Sequence, residues 1–265
     1  MRTPIFVAAL GLTLVGCLVG DAGAPGTGND GTKTDPGTDP GPGPGSDPGT
    51  GSNPAPTPTV TAALDKSTVA TELGKTEIVT LTLTSGGSFA GDVTVTPSLV
   101  DSAGTALADG ITVTGLATVP LTADGTVTEM YSIKIPTNAT GADLAATVKL
   151  DVSSSAGTKQ LMATLNVAAV YNVTYAAGLA GNVVTHPMRA QTISVKKGAK
   201  ISLHNADTAV HITHGDGTFP HETTGATGGL SGNTYTVDTS KLNGTTGNIG
   251  CHSHGSATYA KVTIE

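Results

Sequence analysis

Residues 77–84 read Glu77-Ile78-Val79-Thr80-Leu81-Thr82-Leu83-Thr84, apolar and polar by turns from Val79 onward. Successive side chains of an extended strand point to opposite faces, so a period of two gives a strand with one face in a core and one in water. Asp92-Val93-Thr94-Val95-Thr96 repeats the pattern, and so do residues 146–152 and 161–167. Gly, Asp and Ser turns separate them, as in Ser85-Gly86-Gly87 and Ala123-Asp124-Gly125. Short strands at regular spacing with turn signals predict an antiparallel β-sandwich. The chain is therefore expected to be all-β.

Composition narrows the function classes. Charged residues make up 12% of the 265, against roughly a quarter in an average domain. That excludes a coiled coil, a basic nucleic-acid binder and a highly charged disordered chain. Trp is absent and Tyr and Phe number only 5 and 3, too few for platforms that stack on bases or sugars. The 2 Cys are too few for a disulfide scaffold.

The N-terminus reads as a targeting segment. Arg2 supplies a positive start, and the apolar run of residues 4–15 is short for a membrane span. It ends Leu14-Val15-Gly16-Cys17, which resembles a bacterial lipobox. The resemblance implies a signal peptide over residues 1–16, cleavage before Cys17 and lipidation of its thiol. Leu18 follows, with no Asp there; by resemblance to enterobacterial lipoproteins, this favours the outer membrane over the inner. Residues 17–59 are then the lipidated Cys and a Gly/Pro/Asp-rich stretch with little to bury, expected to be a disordered tether. About 40 such residues average roughly 35 Å end to end, enough to hold folded domains clear of a membrane.

Two folded domains are expected beyond it. Residues 60–168 resemble the Ig-like sandwiches of bacterial surface proteins. They carry 5 Lys against 10 Asp and Glu, with no His and no Cys, and contain no catalytic constellation. Residues 169–265 hold all 7 His and Cys251. Their 6 Lys and Arg against 5 Asp and Glu leave almost no net charge to steer a partner. Candidate strands are 171–175, 192–195, 200–204, 234–237 and 259–264.

Three pieces of this second region stand out. One runs from Ile193-Ser194-Val195 through Lys197-Gly198 to Leu203-His204-Asn205-Ala206-Asp207 and on to His211. Another is Gly250-Cys251-His252-Ser253-His254, and the third is the closing Lys261-Val262-Thr263-Ile264. Together they resemble a cupredoxin, the small blue-copper Greek-key sandwich. In that family a strand and a Gly turn lead to an Asn-x-Asp stretch and a histidine, and a Cys-x2-His loop precedes the last strand. The resemblance covers 169–265 and implies one mononuclear copper held by His211, Cys251 and His254. A thiolate with two imidazoles suits both copper oxidation states. The family's downstream histidine, here His254, lies near the surface and is its usual electron port.

The fourth position departs from the family. No Met lies in Gly255-Ser256-Ala257-Thr258-Tyr259. Counting forward from Cys251 puts Tyr259 at the weak axial place, and counting back from the last strand puts Thr258 there; both stay open. Ile212 stands where a polar residue is common, and Asn248-Ile249-Gly250 lacks the aromatic usual near the Cys.

Other readings suit these residues less well than copper. His186, His204 and His221 read most simply as surface or satisfied imidazoles. His214 and His252 face away from their neighbours His211 and Cys251 by strand alternation. A Cys–His nucleophile needs an orienting Asn or Asp and an oxyanion hole that the sequence does not specify. A CuA centre needs a second loop Cys, and a multicopper oxidase needs more His clusters. Zinc suits Cys and His ligands, but their order around the last strand favours copper.

The expectation is thus a lipid-anchored envelope protein, not an enzyme, that passes single electrons to a partner protein. No nucleic-acid or small-molecule substrate is expected. Copper capture or storage, and a metal-free structural or adhesive lipoprotein, remain the alternatives.

Overall fold

The computed structural model describes residues 54–107, 109–178, 191–217, 219–222, 229–230, 232–251 and 258–265. The expected signal peptide, Cys17 and nearly all of the expected tether lie outside the described residues, as do His186, His252, His254 and residues 255–257. Among the described residues the chain is β-structure, with one 3-10 turn at Thr239–Lys241. No described helix is long and apolar enough to cross a membrane.

Nine strands build the first sandwich. β1 (Thr59–Leu64), β3 (Thr76–Gly86), β5 (Thr112–Thr114) and β7 (Thr126–Lys134) form one sheet in the order β1-β3-β7-β5. β2 (Thr68–Glu72), β4 (Gly91–Val100), β6 (Thr118–Leu121), β8 (Leu144–Ser154) and β9 (Gly157–Ala168) form the other, in the order β2-β9-β8-β4-β6. The period-two positions face inward: Val79, Leu81 and Leu83 of β3 meet Val148, Leu150 and Leu165 in one buried core. Each such side chain contributes about 1.5–3 kcal/mol by leaving water. The first segment serves both sheets. It crosses between them at Asp65, whose carboxylate accepts from Thr80 N at 2.7 Å, and at Ser67, whose carbonyl accepts from Thr164 N at 2.9 Å.

Tyr131 fills the core under β5. Its ring is fully buried, and its hydroxyl donates to Leu116 O at 2.6 Å. Burial, then the charge of Glu129, pushes its phenol up to about 12. An unfolded phenol ionises near 10. Its contribution to stability is therefore complete below about pH 10 and is lost as pH rises towards 12. Tyr131→Phe should cost about 1 kcal/mol, because one hydrogen bond goes while the ring stays. Urea unfolding at neutral pH measures this; no change in midpoint would mean the bond adds nothing.

Seven strands build the second sandwich. β10 (Val170–Tyr175), β12 (Lys200–Asn205) and β14 (Thr234–Asp238) form one sheet, ordered β10-β12-β14. β11 (Gln191–Val195), β13 (Thr213–Gly217), β15 (Thr246–Cys251) and β16 (Thr258–Ile264) form its partner, ordered β11-β16-β15-β13. β10 runs parallel to β12 and β11 parallel to β16; the other pairs are antiparallel. Two strands here, β13 and β15, lie outside the candidate ranges. Their sequences, Thr-His-Gly-Asp-Gly and Thr-Gly-Asn-Ile-Gly-Cys, have no apolar alternation. Cross-strand contacts hold them instead. The Asp216 carboxylate accepts from Asn248 N at 2.8 Å and Asn248 Nδ2 at 2.7 Å. These bonds hold Asp216 below the usual carboxylate range.

No sheet draws strands from both sides of Ala169, the single residue between β9 and β10. Residues Asn53–Glu265 are nevertheless one compact unit. Ala169 is buried; its N–H donates to Asp143 Oδ1 at 2.9 Å and its carbonyl accepts from Lys200 N at 2.8 Å. Leu73 N donates to Val170 O at 3.1 Å, and Lys196 Nζ reaches Asp109 Oδ1 at 3.1 Å and Ala139 O at 2.9 Å. Two glycines let the backbones touch: a Cβ on Gly141 would lie 2.1 Å from Lys197 O, and one on Gly198 2.5 Å from Gly141 O.

Candidate metal centre

The end of β12 leads into the loop that carries His211. Asn205 organises it. Its Nδ2 donates to Ala209 O and Gly229 O, both at 2.8 Å, and its Oδ1 accepts from Asp207 N at 2.9 Å. Asn is suited to this because its side-chain amide both donates and accepts within a short loop. His211 N donates to Gly229 O at 2.9 Å. The approach is close enough that a Cβ on Gly229 would lie 2.3 Å from His211 O.

Chain pairing brings the cysteine in from the far side. Thr213, two residues after His211, is the register partner of Cys251, the last residue of β15. His211 and Cys251 are both fully buried, and they lie close enough for the thiol to act on the imidazole. His211 Nε2 lies 2.9 Å from Asp207 Oδ2. Burial pulls the His211 pKa down, but the hydrogen bonds and negative charge of Cys251 and Asp207 outweigh it and leave the imidazole above its ordinary value.

Aromatic rings close the interior around this pair. Tyr175 stacks on His211 with centroids 5.1 Å apart, and its hydroxyl lies 3.2 Å from Thr213 Oγ1. Tyr259 stands edge-on to both rings, at 5.9 Å from Tyr175 and 6.4 Å from His211. Burial raises the Tyr175 phenol well above 10, and the charges of Cys251, Tyr259 and Glu222 add to it against the Thr213 hydrogen bond. Water is excluded from the pair on this side.

A β-bulge places Tyr259. Ile249 pairs with Ala260, but Gly250 pairs with Thr258, so Tyr259 is an extra residue on β16. Bulges re-aim side chains and recur beside functional sites. Here the bulge lets two consecutive residues, Tyr259 and Ala260, both face the core. The forward and backward counts to the axial place disagreed by one residue, and the bulge is a one-residue shift in the same strand. Thr258 stands opposite Gly250 in the register.

The structure thus brings together His211 and Cys251 of the expected ligand set, with Tyr259 beside them. The third expected ligand, His254, and the bare edge expected at Gly255, Ser256 and Ala257 lie outside the described residues. Among the described residues no group of three or more His, Cys, Asp or Glu side chains could hold a metal ion. His204 is half-buried, with Nδ1 3.2 Å from Thr234 Oγ1. The His214 and His221 rings meet edge to face at 5.1 Å.

Three contributors were missed by reading the sequence for sites. Tyr175 comes from a strand 36 positions before His211 and carries no local signal. Asp207 belongs to the Asn-x-Asp stretch but was given no role. Glu222 is buried, with Oε2 accepting from Thr213 N at 3.2 Å.

The donor chemistry fits copper. A buried thiol and imidazole backed by a carboxylate are soft and borderline donor types of the kind copper accepts.

No protein family matches the sequence, and no curated protein matches it. Several solved structures overlap loosely. A chain of the Salmonella enterica SafA pilin–SafB chaperone complex is 12% identical and covers 71% of this chain and 88% of its own length, with a TM-score of 0.28. Domains 4 and 5 of the S-layer protein SbsC are 20% identical over 42% of this chain and 53% of that one, with a TM-score of 0.27. A family 123 glycoside hydrolase from Clostridium perfringens is 12% identical over 41% of this chain, with a TM-score of 0.33; the match spans only 27% of the hydrolase. Overlaps this loose have no bearing on function.

Proposed function

We propose that this chain is an envelope-anchored copper protein that transfers single electrons through a mononuclear site formed by His211, Cys251 and His254. The observation that carries the reading is the buried contact between His211 and Cys251, residues 40 positions apart in sequence. Copper, when bound, supplies a one-electron couple between Cu(I) and Cu(II). The chain's own residues do the rest. Cys251 ends β15, and His211 lies on the loop two residues before β13, the strand paired to β15, so neither need move when the charge on the site changes. The Tyr175 and Tyr259 rings exclude water from one side of the thiol. The Asn205 side chain anchors the loop between Ala209 and Gly229 and keeps the imidazole from swinging away. The reading assigns no catalytic residue and no small-molecule substrate.

A copper titration of the purified protein tests it. One equivalent of Cu(II) should give an intense visible band that bleaches with ascorbate and returns with an oxidant. Tight Cu(I) binding with no reversible couple would replace electron transfer by storage. No stoichiometric copper, with Cys251 freely alkylated, would leave the structural or adhesive reading.

The anchor belongs to the same reading. A lipid on Cys17 would hold the protein at the outer membrane, with residues 17–59 as the spacer and the redox partner at the envelope. Cys17→Ala should move the protein from the membrane fraction to the soluble fraction. Retention in the membrane would mean something other than Cys17 tethers it.

A further inference from the structure

We propose that Asp207 is the positioning residue of the copper site: it keeps the proton on His211 Nε2 and so presents Nδ1 to the metal beside Cys251. This rests on the copper reading above. The carboxylate is almost fully buried and is held at both oxygens. Oδ1 accepts from Thr208 N at 2.8 Å and Gly178 N at 3.1 Å, while Oδ2 lies 2.9 Å from His211 Nε2. Its own N–H donates to Asn205 Oδ1 at 2.9 Å, which sets the loop geometry. The carboxylate therefore has little room to turn.

An ionised carboxylate can only accept hydrogen bonds. The atom that meets Oδ2 must carry a proton, so Nε2 is the N–H of the ring and Nδ1 carries the lone pair. Imidazoles that ligate metals commonly give their other N–H to a carboxylate, which fixes the tautomer and makes the ligand more basic. A more basic ligand, with a buried negative charge behind it, stabilises Cu(II) relative to Cu(I). Asp207 would thus act on the site in two ways: by selecting the ligating nitrogen and by lowering the reduction potential.

Asp207→Asn separates this role from packing, because the two side chains have nearly the same shape. Two backbone N–H groups point at one atom of residue 207, so the Asn oxygen must occupy that place. Its NH2 then faces His211 Nε2 and requires a lone pair there. The proton moves to Nδ1, the nitrogen the metal needs.

The experiment is a long-range proton–nitrogen correlation spectrum of the imidazoles in the metal-free, full-length protein, read on the neutral form of His211. Copper affinity and reduction potential are measured alongside. We expect the proton on Nε2 in the native chain and on Nδ1 in Asp207→Asn, with copper bound about 10–100-fold more weakly by the variant. Any copper it retains should have a higher potential. A native proton on Nδ1 overturns the proposal, and so does a variant with unchanged tautomer and affinity. If the variant fails to fold, the native spectrum alone decides. If the native chain binds no copper but the tautomer still switches, the positioning role of Asp207 stands and the copper reading falls.

Discussion

Replacing Cys251 with serine is expected to abolish the visible copper band and to weaken Cu(I) binding by more than about a hundredfold. The magnitude follows from the chemistry of the pair. Loss of a residue that merely supports a metal ligand costs about 10–100-fold in affinity, so loss of the only thiolate should cost more. A hydroxyl is a hard donor that stays protonated, and it cannot replace a soft thiolate for Cu(I). The fold should survive. Serine is slightly smaller, and β15 stays paired to β13 through the Asp216–Asn248 bonds. Burying the hydroxyl should cost about 1 kcal/mol. Circular dichroism and a copper titration on the same sample make the measurement. A band that persists in Cys251→Ser would show that Cys251 is not the ligand. A band lost only because the protein has unfolded would show as a lost β-spectrum.

Gly198→Val should lower stability by about 4 kcal/mol. Gly198 has φ +101, a conformation that a β-branched residue cannot adopt without strain. Such strain costs about 1–3 kcal/mol. The added side chain would also begin 2.5 Å from Gly141 O, where the two sandwiches meet backbone to backbone. Overpacking of that kind costs a further 1–3 kcal/mol or so. Gly157→Val is the control. Gly157 has φ +131 but open space around the added Cβ, so it carries the strain without the clash. The difference between the two variants in denaturant unfolding isolates the joint. Faster amide exchange at Lys200, whose N–H bonds Ala169 O, should accompany only Gly198→Val. Equal losses in both variants would mean that the close approach at Gly141 contributes nothing.

The strands that the sequence reveals are those whose two faces differ. β3, β8 and β9 alternate apolar and polar residues, and each has its apolar set in the core. β13 and β15 carry Gly and polar residues instead, and they are the strands that bring Thr213 opposite Cys251. A strand of this kind is held by its neighbours, so its own residues carry no periodic signal. The same is true of Tyr259: a bulge depends on how two strands register, and neither strand records it alone. His211 and Cys251 were legible as a pair only through a family resemblance. Asp207 could be seen in the Asn-x-Asp stretch, but its contact with His211 Nε2 could not.

By itself the amino-acid sequence determined that the described part of this chain is β-structure and that every imidazole and the one thiol past Cys17 fall within residues 169–265. These follow from periodicity and composition, which are local. Only the tertiary structure decided that the sandwiches, linked through the single residue Ala169, touch backbone to backbone at Gly141 and Gly198, that Tyr175 stacks on His211, and that a buried carboxylate stands behind the imidazole. Those contacts join residues far apart in sequence, and their energies come from burial and hydrogen bonding that exist only once the sheets have closed on each other.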